Sequence, residues 1–244
     1  MDNRVPMTRT RFDHIAIGLP RMAEAPAVLV GRLGGLPDTG GVSQVYNWGC
    51  WRYAGGGCIE ILEPRGADGF LHRFLAQQGP GIHHVTFKVP SLREACDRAA
   101  ALGYRVVGYD DSRADWKEAF LHPKSALGIV VQLAQVAGHG RRPWEPPPAP
   151  PDPPPPVRIL GLRLRARSAE RARRQWQTIV AGDETPGGGS ELVYRWPDSP
   201  MRVAVEIDPA ADEGPVCIEF AGDRAVSLPA DGLLAGLFAQ RPAP

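Results

Sequence analysis

Residues 84–95, HVTFKVPSLREA, repeat residues 14–25, HIAIGLPRMAEA, at a constant offset of 70 (84 − 14). The histidine, the proline at Pro20 and Pro90, and the pairs Glu24-Ala25 and Glu94-Ala95 coincide without a gap. An internal repeat sets the architecture before any local reading is made. Each copy opens in strict alternation. Ile15, Ile17 and Leu19 share one face, as do Val85, Phe87 and Val89, leaving His14, Ala16, Gly18 and His84, Thr86, Lys88 on the other. A strand with one apolar face needs a layer over it, and helix signals follow. Ser91 with Glu94 forms a capping box, and Leu92, Ala95, Ala99 and Leu102 recur at helical spacing. Three strand candidates then complete each copy, at 43–48, 50–54 and 57–63 and at 104–109, 117–122 and 128–135. The pattern predicts an α+β fold of paired β-α-β-β-β modules sharing one curved mixed sheet.

Beyond the second copy, PWEPPPAPPDPPPPV (143–157) breaks the composition abruptly. Proline fixes φ and removes backbone donors, so this stretch reads as a semi-rigid polyproline spacer. The expected organisation is a two-module domain over 1–140, a linker over 141–157 and a degenerate third module over 158–244. In that third module Leu160 to Arg165 alternates, Ser168 caps a helix over 169–181, and strands are expected at 191–196, 201–207 and 216–221. Cys217-Ile218-Glu219 echoes Cys58-Ile59-Glu60. Aligned through Glu24 and Glu170, Leu160 takes the histidine position, so this module is structural. A lone module leaves a sheet edge and an apolar face uncovered, which predicts a homodimer.

A formal net charge of +1 provides no long-range field for nucleic acid or an anionic membrane, so any site is local and suits a small molecule. MDNRVPMTRTRFDH lacks the apolar core of a signal peptide, and no later run approaches a membrane span. A soluble, cytoplasmic protein is expected. Cys50, Cys58, Cys96 and Cys217 form no C-x-x-C pair and read as reduced, buried residues.

If the two modules form one curved sheet, His14 and His84 converge with Glu60 and Gln132, which interrupt the apolar last strands in the triplets Ile59-Glu60-Ile61 and Val131-Gln132-Leu133. Two imidazoles, a carboxylate and an amide oxygen suit a divalent first-row metal such as Zn, Ni, Co, Mn or Fe. Ala16 and Gly18 beside His14 would leave room for a ligand. A single histidine at a strand start is ordinarily a hydrogen-bonded structural residue; two at equivalent positions, each with an equivalent polar partner, point to a site. His72, His122 and His139 lack this symmetry, and His83 faces the other way as a packing residue.

The segments FDHIAIGLP, CIEILEPRG, FLHRFLAQQGPGIHHVTFKV and FLHPKSALGIVVQL resemble the vicinal oxygen chelate superfamily, and within it methylmalonyl-CoA epimerases and their glyoxalase-type relatives. The resemblance spans most of residues 12–135 and implies a metal held by His14, Glu60, His84 and Gln132. It further implies isomerase or lyase chemistry on a small carbonyl or acyl thioester, with a metal-stabilised enolate and a carboxylate moving the proton. Glu60 is the expected base, with Glu118 or Asp115 as a second acid. Lys124 and Ser125 of FLHPKS would meet an anionic group, and Tyr46, Trp48 and Trp51 would line a pocket. The sequence departs from the epimerase pattern at Gln132, where glutamate is usual, because an amide coordinates but carries no proton. Two alternatives therefore stand beside an epimerase: a non-haem Fe(II) dioxygenase built on His14, His84 and Glu60, and a binding protein without turnover.

Overall fold

Ser91 and Ser168 each accept a hydrogen bond from a backbone N–H three residues on, and these two caps fix where the second and third modules turn from strand to helix. In the computed structural model, which describes residues 7–137 and 144–242, the first module comprises β1 (Arg11–Gly18), a 3-10 turn, α1 (Pro26–Leu29), β2 (Leu36–Val42), β3 (Tyr46–Arg52) and β4 (Cys58–Pro64). A helix, α2 (Phe70–Gln78), leads into β5 (Gly81–Lys88), α3 (Leu92–Ala101), β6 (Val106–Asp110), β7 (Trp116–Leu121) and β8 (Val130–Val136). The third module has β9 (Arg158–Ala166), α4 (Ala169–Arg173) continued by a π-helical segment Arg174–Ile179, β10 (Asp183–Pro186), β11 (Glu191–Arg195) and β12 (Arg202–Ile207). Two further strands follow, β13 (Gly214–Ala221) and β14 (Phe238–Gln240).

The strands form two mixed sheets, ordered β2-β3-β4-β1-β5-β8-β7-β6 and β10-β11-β12-β9-β13-β14, so the fold is α+β as expected. Within each of the first two modules the first strand runs parallel to the last. Ala16 pairs with Glu60 and Thr86 with Gln132, which puts the repeat positions in equivalent registers.

Several local expectations change. β2, LPDTGGV, reads as a loop because Gly, Pro and Asp are poor strand formers, yet it forms an edge strand, the place in a sheet where proline is tolerated. The candidates at 43–48 and 50–54 merge into the single strand β3. The third module is complete at Ile207, so Cys217-Ile218-Glu219 is not its last strand; it lies in β13, next to β9 in the second sheet. The open edge that motivated a homodimer is thus taken by the chain's own strand. Aligning the two caps (168 − 91 = 77) places Gly161, not Leu160, at the position of His84, again without a metal ligand.

Contacts divide the chain into two compact bodies, Met1–Asp13 with His84–Gly140 and Leu162–Val216, and His14–His83 with Arg141–Gly161 and Cys217–Pro244. This division does not follow the proline-rich stretch. In the first body an aromatic core joins the second and third modules. The Phe87 ring lies 4.9 Å from Phe12 and 4.7 Å from Trp196, with Trp176 at 5.9 Å. Arg98 Nη2 donates to the Ile179 carbonyl at 3.3 Å and Ser199 Oγ to the Phe12 carbonyl at 2.7 Å.

In the second body the proline-rich stretch is a strap, not a spacer. α1 has only four residues, against ten in α3, because a glycine-rich run follows it. The outer face of β2 and β3 needs another cover. Trp144 supplies it: its indole stands over the paired Gly40 and Gly49, where a Cβ on either would overlap it, and meets Trp51 edge-on at 5.2 Å. Pro150 packs on Gly31, Val157 N–H donates to the Leu33 carbonyl at 2.9 Å, and Ala54 N–H to the Val157 carbonyl at 3.0 Å. A polyproline segment suits this role because it brings few donors that a sheet edge must satisfy. His139, the boundary at 140–141 and Pro143 lie outside the described residues.

Candidate metal centre

His14 on β1 and Glu60 on β4 are brought side by side by the parallel register of those strands, with Nε2 and Oε2 at 3.5 Å. Cys50, the register partner of Glu60 on β3, presents Sγ to Glu60 Oε1 at 3.9 Å. The ligand atoms of His14, Glu60 and His84 all lie within 4.8 Å of one another, and all three residues are buried. Burying three ionisable groups is costly unless they are paired or hold a cation. Two imidazole nitrogens and one carboxylate are the donor set of a divalent first-row metal, so the residues present fit such an ion.

Gln132, 7% exposed, occupies the equivalent last-strand position on β8. Its Oε1 accepts from Thr86 Oγ1 at 2.5 Å, and its Nε2 donates to Glu118 Oε2 at 2.7 Å. The Trp116 indole N–H donates to the same Glu118 oxygen at 2.8 Å. Glu118 is therefore drawn inward from β7 by a buried amide instead of sitting as an exposed charge at a strand end. Thr86 and Trp116 escaped the sequence reading. The signal for Thr86 was available, since it shares the face of His84 two residues earlier; Trp116 had none.

The remaining candidates separate. Tyr46 and Trp48 pack against a small apolar cluster of Ala16, Leu62 and Leu71, together with Phe74. The room expected beside His14 is filled in this way. A Cβ on Gly18 would stand 3.0 Å from Leu71 Cδ1 and from Phe74 Cε1, because α2 lies over the small residues of β1. Trp51 is not brought to the cluster: it alternates away from Cys50, is fully buried and faces Trp144. Lys124 is exposed in the turn before β8. Ser125 closes that turn, accepting from Arg105 N–H at 3.1 Å and donating to the His122 carbonyl at 2.9 Å. His83 packs between Phe70 and Phe74 at 5.4 and 4.8 Å, and burial pushes its pKa down to about 4. It is a neutral packing residue. The four cysteines are buried, and among the described residues none forms a disulfide. Among the described residues no helix is long and apolar enough to cross a membrane.

Comparison with known proteins adds a second line. The family described as Glyoxalase/Bleomycin resistance protein/Dioxygenase superfamily matches residues 13–120. An ethylmalonyl-CoA/methylmalonyl-CoA epimerase of Cereibacter sphaeroides is 32% identical over 136 residues, covering 52% of this chain and 98% of that protein. The mitochondrial methylmalonyl-CoA epimerase of Homo sapiens is 30% identical over 136 residues, or 51% of this chain and 73% of that one. Among solved structures, a mutant 4-hydroxymandelate synthase from Streptomyces coelicolor superposes with a TM-score of 0.61 at 13% identity, covering 89% of this chain and 72% of its own. That last likeness concerns the fold alone, and its extent reaches past the proline-rich stretch.

Proposed function

The chain belongs to the glyoxalase/bleomycin resistance protein/dioxygenase superfamily, and from that premise we propose a metal-dependent epimerase-type enzyme acting on a small acyl thioester. The observation that carries this reading is the buried trio of His14, Glu60 and His84. His14, His84 and Glu60 would hold the ion, with Gln132 offering an amide oxygen. A divalent ion there supplies Lewis-acid stabilisation of negative charge building on a carbonyl oxygen. Glu60 removes the proton from one face of the carbon next to that carbonyl, with Cys50 and His14 orienting its carboxylate, and inversion requires that a proton return on the opposite face. Gln132 cannot shuttle a proton, so Glu118, which is hydrogen-bonded to it, is the second carboxylate of this reading. The epimerase relatives support the thioester class.

The test has two stages. The purified full chain, reconstituted with Zn(II) or Co(II), should retain stoichiometric metal. In D2O it should then exchange the α-proton of methylmalonyl-CoA. Metal uptake without exchange on any acyl thioester would leave a binding protein instead. Because the same trio is a two-histidine, one-carboxylate set, an Fe(II) dioxygenase is the second reading. Fe(II)-dependent oxygen consumption with a phenolic substrate, absent with thioesters, would replace the first reading by the second.

A further inference from the structure

We propose that Glu118 is a positioning residue that decides which end of the Gln132 amide is turned toward β5, the strand of His84, and so makes Gln132 an oxygen donor. The inference rests on the metal-centre reading and deepens it. A glutamine amide has two nearly isosteric ends, and only its oxygen can ligate a metal ion. Thr86 cannot choose between them, since a hydroxyl both donates and accepts. Glu118 can. The indole N–H of Trp116 only donates, and it shares Oε2 with Gln132 at 2.8 and 2.7 Å. That oxygen is therefore an acceptor for both, and the group of Gln132 facing it has to be the NH2. Rotating the amide by half a turn would set two acceptor oxygens against each other with no proton between them. The oxygen is thereby left on the Thr86 side, at 2.5 Å from Oγ1, with a second lone pair to offer. Thr86 stands two residues from His84 on the same face of β5. Partners of this kind, which bond to a ligand and not to the ion, set both its orientation and its basicity.

The arrangement also implies that residues 118 and 132 work as a complementary pair: one carboxylate and one amide, in either order. Co(II) titration of the full chain, read by calorimetry and by the visible absorption of the bound ion, tests this. Glu118→Gln should weaken Co(II) binding roughly 10- to 100-fold and alter the absorption, because either end of the amide at 132 now satisfies its neighbour. Gln132→Glu alone sets two carboxylates together and should also weaken binding. The double variant Glu118→Gln/Gln132→Glu restores a donor against a carboxylate and should recover affinity to within about threefold of wild type. Unchanged affinity and absorption in Glu118→Gln would overturn the proposal, as would a double variant no better than its weaker parent. Should Glu118→Gln fail to fold, the double variant carries the test alone. A wild type that binds no Co(II) would remove the metal reading instead. Orientation is then read from the side-chain NH2 resonances of Gln132, which should shift in Glu118→Gln and whose constancy would overturn it.

Discussion

The first two modules share a backbone plan and differ in charge at the same register. Glu60 in the first is a carboxylate beside a thiol, Cys50 Sγ; Gln132 in the second is an amide beside a carboxylate, Glu118. Exchanging acid and amide between equivalent places keeps one negative charge next to the histidines while a second is held back behind an amide. Two carboxylates in direct contact would repel, and one of them would take up a proton. The comparison teaches that the repeat keeps an oxygen-bearing side chain at both positions, whereas the first copy places a carboxylate there and the second an amide.

Removing what the modules have in common should have the largest effect. His14→Ala/His84→Ala deletes one ligand from each copy, and at roughly 3 kcal/mol per ligand metal affinity should fall on the order of 10^4-fold. Elemental analysis after reconstitution checks this; equal metal in both proteins would dissolve the equivalence of the two histidines. Removing what distinguishes them comes next. Glu60→Gln should lower α-proton exchange roughly 10^2- to 10^4-fold while metal is still taken up, as expected for loss of a general base. Deuterium incorporation into the thioester measures it, and full activity in Glu60→Gln would move the base to the second module.

A smaller effect is expected where the modules differ in their covering. The first relies on the strap and the second on a longer helix, so Trp144→Ala should cost about 2–4 kcal/mol. The melting temperature should fall by roughly 5–15 °C without loss of metal affinity. Trp51 fluorescence should shift to the red. An unchanged melting curve would return the proline-rich stretch to the role of spacer. The smallest change is expected at the turn before β8. Lys124→Ala should alter stability by no more than about 0.5 kcal/mol and exchange less than about twofold. A tenfold loss of exchange would restore Lys124 as an anchor for an anionic substrate.

Much of this was legible because it is periodic. Alternation in 14–19 and 84–89 defines which residues share a face, and a ladder of fixed spacing turns equal sequence offsets into equal positions, so His14, His84, Glu60 and Gln132 could be selected from the chain alone. Where periodicity lapses, adjacent residues no longer define the fold. β2 has the composition of a loop and becomes a strand only because β3 offers it a ladder. The helix α2 fills the space by Ala16 and Gly18 where the small side chains predict room for a ligand.

By itself, then, the sequence determined the repeat, the α+β class, and the two histidines with their acid and amide partners. All of these follow from local geometry that a few adjacent residues impose. Tertiary structure alone decided that Trp144 straps the first module, that β13 stands beside β9, and that Glu118 and Trp116 hold Gln132. Each of these joins residues through space and not along a repeating spacing, and is selected by packing and by the need of buried polar atoms for partners.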